Sequence, residues 1–396
     1  MSDAKFHMDK RIFSLDCARK YFTPAWIKKL IDEISAVGYN AIMLHFSEDM
    51  GMRLESKQYP WLAGGDHSLC VYGAANGRAE DDGKYITQAE MEDIVRHATA
   101  RGMEVIPSFD SPGHMNYIVK KYNAHFATDI GNYFHKNGKR AIVQGTSINK
   151  ESAQSSHSRG IDLANPEAVA FAKNLYTEYG EFFRSLGCES FDMGGDELLG
   201  CGETIDDTLS KWNNLDHWQA LAQRKTGDPR AVAYDAFILY MNEIAALLYS
   251  LGYKSVRMWN DDAYRSYDTD WNGVAQLDRS IDIQYWAPFA NNGQNTAPFY
   301  LERGHRLYNF TMKYTYYVLY PNKPSTLATP EQIEAEWNAY VFDPDNKQSN
   351  PTAPHEAVKG AGFCLWGDAP ATVEEDALLE KMRPYFTAVA KKICGE

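Results

Sequence analysis

The 396-residue chain has no apolar run approaching the roughly 18 consecutive residues that a membrane-spanning helix needs. Its opening, MSDAKFHMDKRIF, lacks the basic-then-apolar pattern of a secretory leader. The expectation is a cytoplasmic protein, or a secreted one if a leader has been removed. Positive charge is also in deficit: 40 Lys and Arg stand against 53 Asp and Glu, a formal charge of −13. That balance argues against a general nucleic-acid binder, whose affinity rests on neutralising phosphates. It suits a neutral or cationic substrate. Cysteines are few and widely spaced (Cys17, Cys70, Cys188, Cys201, Cys364 and Cys394), with no CxxC and no zinc-finger spacing. Reduced, structural thiols follow. There is no HxH and no HExxH, so although His45, His114, Asp110 and Asp196 could be metal ligands, none of them sits in a metal-binding motif. No glycine-rich phosphate loop follows the first apolar run, because LDCARKYFTP cannot cradle a pyrophosphate. No low-complexity tract or Pro/Gly/Ser-rich linker divides the chain, which is expected to form one domain over 1–396.

Eight short β-rich runs recur along the chain: 13–18, 41–47, 104–110, 190–196, 255–261, 282–287, 306–311 and 362–367. Helix-like segments alternate with them. Residues 23–38 open on Thr23 and Pro24 and close on Gly38; 87–102 run from Thr87 to Gly102; 165–187 open on Asn165 and Pro166; 233–252 follow the same plan. Strands alternating with helices imply an α/β fold, a (β/α)8 TIM barrel, with a doubly wound open sheet as the second choice. The stretches at about 116–160 and 201–232 are read as long βα loops at the face where barrel enzymes build their sites.

In a barrel the strand ends converge on one pocket. They supply Asp16 and Arg19; His45, Glu48 and Asp49; Asp110 and His114; and Asp192, Asp196 and Glu197. Later strands supply Trp259, Asn260 and Asp261; Trp286; tyrosines 314, 316, 317 and 320; and Trp366 with Asp368. Aromatic faces against C–H surfaces and acids on hydroxyls are how proteins hold sugars. Carbohydrate chemistry is therefore the leading class, with a sugar-binding module and a metal-dependent barrel hydrolase as the alternatives. Within FDMGGDE the acids Asp196 and Glu197 are neighbours in sequence. An ordinary retaining glycosidase sets its two carboxyls about 5–5.5 Å apart on opposite sides of the bond, and adjacent residues are badly placed for that.

The residues resemble glycoside hydrolase family 20, the β-N-acetylhexosaminidases. LDCARKYFTP is similar to the family's LD-x-AR segment, and LHFSEDMGMRLESKQYP to its H-x-S-D-D…R-x-E-S…YP stretch. VIPSFDSPGHM resembles VIPE-x-D-x-PGH, FDMGGDE resembles H-x-GGDE, and VRMWND, IQYW and CLWGD resemble the three tryptophan-bearing strands. These segments run in order from about residue 11 to 370, with single-domain, dispersin-type members the most similar. The resemblance implies substrate-assisted hydrolysis with retention, in which the substrate's 2-acetamido oxygen is the nucleophile. Glu197 would be the general acid and then base, raised in pKa by an ionised Asp196, which would hold the acetamido N–H. Tyr316 would bind the acetamido oxygen, with Tyr314 or Tyr317 as substitutes, and His114 would tune Glu197. Arg19 would bind the 3- and 4-hydroxyls, Asp368 the 4- or 6-hydroxyl, and Trp259, Trp286 and Trp366 would wall the pocket; Asp261 joins the substrate contacts. The implied partner is an amino-sugar glycan, with no cofactor and no metal. Relatives with another cleavage pattern, a lacto-N-biosidase or a poly-N-acetylglucosamine hydrolase, form the alternative.

Three positions depart from the family pattern. Asp192 stands for the usual His and is expected either to raise the coupled pKa values, to bind a cationic sugar, or to be a capping or salt-bridged residue. Glu48 replaces an Asp behind His114, and Asp368 replaces a Glu.

Overall fold

The computed structural model describes residues 7–132, 160–198, 215–264, 273–286, 296–321, 328–352 and 354–395. Each β-rich run becomes a strand: β1 Lys10–Asp16, β2 Ala41–His45, β3 Glu104–Ser108, β4 Ser190–Asp192, β5 Ser255–Trp259, β6 Asp282–Tyr285, β7 Leu307–Asn309 and β8 Val358–Trp366. All neighbours pair in parallel in chain order, and β8 pairs back onto β1 with Ile12 opposite Gly362, which closes the barrel. A short extra strand, Tyr316–Val318, lies parallel to the upper half of β8.

Side-chain alternation divides the buried residues into two sets. Ile12, Met43, Ile106, Tyr308 and Cys364 point into the barrel, while Phe13, Leu15, Ile42, Leu44 and Phe191 pack outward under the helices. The helices begin where the caps predict. Thr23 accepts from the Trp26 amide ahead of Pro24–Ala36, Thr87 and Glu90 form a reciprocal capping box ahead of Gln88–Thr99, and Asn165 accepts from the Glu167 amide ahead of Pro166–Ser185.

Two expected loops carry helices instead. Residues 116–160 open with the helix Asn116–Phe126, which buries Tyr117, Ile118, Val119 and Tyr122, and continue into a two-stranded ribbon pairing Gly131–Asn132 with Gly160–Ile161. Residues 201–232 contain the helix Asp216–Thr226. The rest of both stretches, 133–159 and 201–214, lies outside the described residues. Cys17, Cys70, Cys188 and Cys364 are buried and Cys394 half-buried, none of them in a disulfide among the described residues, and Cys201 falls outside the described residues. Among the described residues no helix is long and apolar enough to cross a membrane.

Candidate active site

The turn after β4 explains its own glycines. Gly194 and Gly195 have φ of 68° and 86°, a region open to glycine. A Cβ on Gly194 would lie 1.8 Å from Asp110 Oδ1, and one on Gly195 would lie 2.6 Å from Met241 Cε. Asp110 Oδ1 accepts the Gly195 N–H at 3.0 Å, so the strand can turn only by passing this close to β3's carboxylate. The turn delivers Asp196 and Glu197 half-buried at the mouth, and Glu197 itself takes a left-handed backbone with φ 43°.

His114, also left-handed at φ 49°, is buried between them and a second set of acids. Its Nε2 is 3.5 Å from Glu197 Oε2 and 3.8 Å from Asp196 Oδ2, and its Nδ1 is 2.7 Å from Glu48 Oε1. The same Glu48 oxygen lies 2.5 Å from Arg19 Nη2, while Arg19 Nη1 donates to Asp16 Oδ2 at 2.9 Å. Burial opposes charge on His114, but Glu48, Asp49 and Glu197 together outweigh it and lift the imidazole well above its ordinary pKa. Burial likewise opposes charge on Glu48, yet Arg19 and His114 hold it well below the usual carboxylate range. Glu48, the longer acid where an Asp was expected, thus links Arg19 to His114 through one carboxylate oxygen.

Asp110 and Asp196 form the strained pair of the site. Burial, with a nearby Glu48, pushes Asp110 up to about 8. Burial and then repulsion from Asp110 raise Asp196 well above its usual value. Their oxygens lie within 4.8 Å of one another, so the charge on one carboxyl disfavours ionisation of the other. Asp196, expected to act on Glu197 as an ionised neighbour, is itself lifted by burial, then by Asp110 and, less, by Glu197. Asp110, His114 and Asp196 offer ligand atoms within 4.8 Å of one another, as do Glu48, Asp49 and His114, a spacing that a cation could also occupy.

An aromatic box faces the acids. Trp286 and Tyr316 stack in parallel, 6.1 Å apart with planes 8° off, and Tyr316 lies 5.7 Å from Trp366. Tyr314 donates to Glu336 and Tyr317 packs on Tyr385 of the helix Glu375–Cys394, so of the three tyrosines Tyr316 is the one turned to the box. Trp259 is only 1% exposed and packs behind Trp366 and Phe310, backing the box instead of lining it. Asp368 is half-buried near Arg19; burial, against the pull of Arg19, raises it to about 6.

Two expected substrate contacts are corrected. Asp192 is fully buried inside the barrel, where its oxygens accept from Ser108 Oγ at 2.5 Å and Gln284 Nε2 at 2.9 Å. The register explains it: Asp192 stands level with Ser108 on β3 and Arg257 on β5, one layer below the turn. Burial raises it to about 6. Asp261 spends its oxygens on protein donors, Oδ2 on the Glu197 N–H at 2.7 Å and Oδ1 on the Trp286 Nε1–H at 3.0 Å. Sequence reasoning passed over Asp262, whose Oδ2 accepts the Leu198 N–H at 3.0 Å, and Tyr72, 42% exposed and in edge contact with Tyr320 at 6.2 Å.

Residues 10–392 match the sequence model described as glycosyl hydrolase family 20, catalytic domain. Among curated relatives, the chain is 25% identical over 288 residues to a lacto-N-biosidase of Bifidobacterium bifidum, covering 72% of this chain and 21% of that protein. It is 22% identical over 394 residues to a beta-N-acetylhexosaminidase of Cellulomonas fimi, covering 96% of this chain and 62% of the relative. The chain therefore spans between about a fifth and three fifths of the length of these relatives. Dispersin B is structurally similar, with a TM-score of 0.67 at 21% identity, covering 97% of this chain and 99% of that one. An exo beta-N-acetylglucosaminidase of Vibrio harveyi gives a TM-score of 0.69 at 17% identity, covering 98% of this chain and 54% of that one. With the family's catalytic domain matched across nearly its whole length, this chain belongs to glycosyl hydrolase family 20.

Proposed function

We propose that the chain, acting as one catalytic domain, hydrolyses terminal β-linked N-acetylhexosaminides with retention, using the substrate's own acetamido oxygen as nucleophile. The observation that carries this reading is the pairing of two adjacent acids on one strand end with the Trp286–Tyr316–Trp366 box. One face of the sugar ring then has acids beside it, and the second nucleophile of an ordinary retaining pair is not needed. Glu197 protonates the leaving oxygen and later takes a proton from water. His114, held cationic chiefly by Glu48, sits 3.5 Å behind it and favours the carboxylate form that the first step leaves. Asp196 accepts the acetamido N–H; in this reading Asp110 and Asp196 share one proton, and that contact moves it onto Asp110 and leaves a carboxylate facing the positive oxazolinium ring. Tyr316 donates to the acetamido oxygen, and Arg19 with Asp368 hold the hydroxyls at the far end of the ring.

The expected outcome is turnover of an aryl β-N-acetylglucosaminide that survives EDTA and is blocked by a thiazoline mimic of the intermediate. Glu197→Gln should lower kcat about 10²–10⁴-fold on a substrate with a poor leaving group. A mutant as active as wild type overturns the acid assignment, and loss of activity in chelator favours the metal-dependent alternative. Similarity to a lacto-N-biosidase supports a second reading, release of a disaccharide. Product size from a defined N-acetylglucosamine oligomer decides between them.

A further inference from the structure

The tetrapeptide Trp259-Asn260-Asp261-Asp262 leaves the end of β5, and the reaction above uses none of its polar groups. Glu197 needs external support, because a non-glycine residue at φ 43° costs about 1–2 kcal/mol relative to the usual backbone. Asp261 Oδ2 takes the Glu197 N–H at 2.7 Å and Asp262 Oδ2 takes the next amide, Leu198, at 3.0 Å. Two consecutive carboxyl groups thus grip two consecutive amides, at 2.7 and 3.0 Å. The other side of the tetrapeptide holds the aromatic box. Asp261 Oδ1 takes the Trp286 indole N–H at 3.0 Å, and Asn260 Oδ1 takes the Trp286 backbone N–H at 2.8 Å. The turn is itself tied to the core: the Tyr300 hydroxyl donates to the Asn260 carbonyl at 2.8 Å, and the Tyr234 hydroxyl to the Asp262 carbonyl at 2.9 Å.

We propose that Asp261 is a positioning residue whose single carboxyl group fixes the Glu197 backbone relative to the Trp286–Tyr316 wall, with Asp262 as its partner on Leu198. This rests on the hexosaminidase reading, in which the acid and the acetamido-binding wall must meet one sugar from two strands. The two oxygens point at two different donors, so the role needs an acceptor at both ends. Asparagine offers one acceptor and one NH2, and sets a donor against either the Glu197 N–H or the Trp286 Nε1–H. A misplaced acid matters only where the leaving group needs a proton. Asp261→Asn should therefore lower kcat about 100-fold on a β-N-acetylglucosaminide with an alkyl or sugar leaving group. KM should change little, and the 2,4-dinitrophenyl glycoside, which leaves without protonation, should lose far less. Asp262→Ala, which removes the acceptor of the Leu198 amide, should show the same bias more weakly and serves if Asp261→Asn does not fold. Equal losses on both glycosides, or none, with wild type active, overturn this inference alone. A wild-type protein inactive on both glycosides overturns the hexosaminidase reading on which it depends.

Discussion

Gly194 shows how much of this site is decided by what a single residue lacks. Its missing Cβ leaves room for Asp110 Oδ1, and its φ of 68° lets the chain swing from strand to mouth within two residues. Gly194→Ala adds a strained backbone and a contact at 1.8 Å against a buried carboxyl that cannot retreat. The strain alone is worth about 1–2 kcal/mol, so a loss of about 2 kcal/mol or more is expected. Denaturant unfolding measures it, and activity should fall further than stability because Asp110 and Asp196 shift together. An alanine variant of wild-type stability would mean that the turn can relax around the new methyl. The two glycines were visible in the sequence as an oddity, but their reason was not. Asp110 lies more than eighty positions upstream, and only the β3–β4 register, with Ser108 beside Asp192, brings it under the turn.

At the level of elements, the change from the helix Met312–Thr315 to the strand Tyr316–Val318 assigns the tyrosines. In Tyr314-Thr315-Tyr316-Tyr317 only Tyr316 reaches the box, while Tyr314 and Tyr317 face Glu336 and Tyr385. Tyr316→Phe, which removes one hydroxyl and leaves the stacking surface, should lower kcat about 10- to 100-fold if the hydroxyl orients the acetamido group. Tyr314→Phe and Tyr317→Phe should leave kcat near wild type. Steady-state kinetics on one aryl glycoside separates the three, and an active Tyr316→Phe would remove the residue from the mechanism. The sequence left this choice open because a short helix, Met312–Thr315, precedes the strand and hides the period. Elements with strong local signals were legible: the eight strands, and the helices begun by Thr23, Thr87 and Asn165. The helix Asn116–Phe126 was not, since Met115 provides no side-chain cap to announce it. Asp192 was misjudged for a related reason. A strand-end acid looks the same in sequence whether its side chain enters the barrel or the mouth.

Taken as a whole molecule, the protein buries acids on both sides of their ordinary range, and the signs decide its response to pH. Asp110 rises to about 8, and Asp192 and Asp368 to about 6, in each case chiefly through burial. For a carboxyl raised in the folded state, the stabilisation is complete below the unfolded pKa and is lost as pH climbs through the folded one. His114 acts in the same direction: despite burial, Glu48, Asp49 and Glu197 raise it, and its contribution fades as pH rises past its folded value. Glu48 goes the other way, lowered by Arg19 and His114 against burial, as Glu104 and Asp162 are by their own partners, so these contributions fade only in acid, below the ordinary carboxylate range. The melting temperature should therefore be highest near about pH 5 and fall steadily towards about pH 9. Self-repulsion of a chain carrying −13 predicts a fall of the same sign, but it acts through solvent and is screened within about 10 Å at 0.1 M salt. The buried acids are not screened in this way. A slope that persists in about 0.5 M salt and flattens between about pH 6 and 8 in Asp110→Asn assigns it to the site. A slope that salt abolishes, with Asp110→Asn unchanged, assigns it to the surface instead, and leaves the Asp110–Asp196 pair without the shared proton that the proposed chemistry needs.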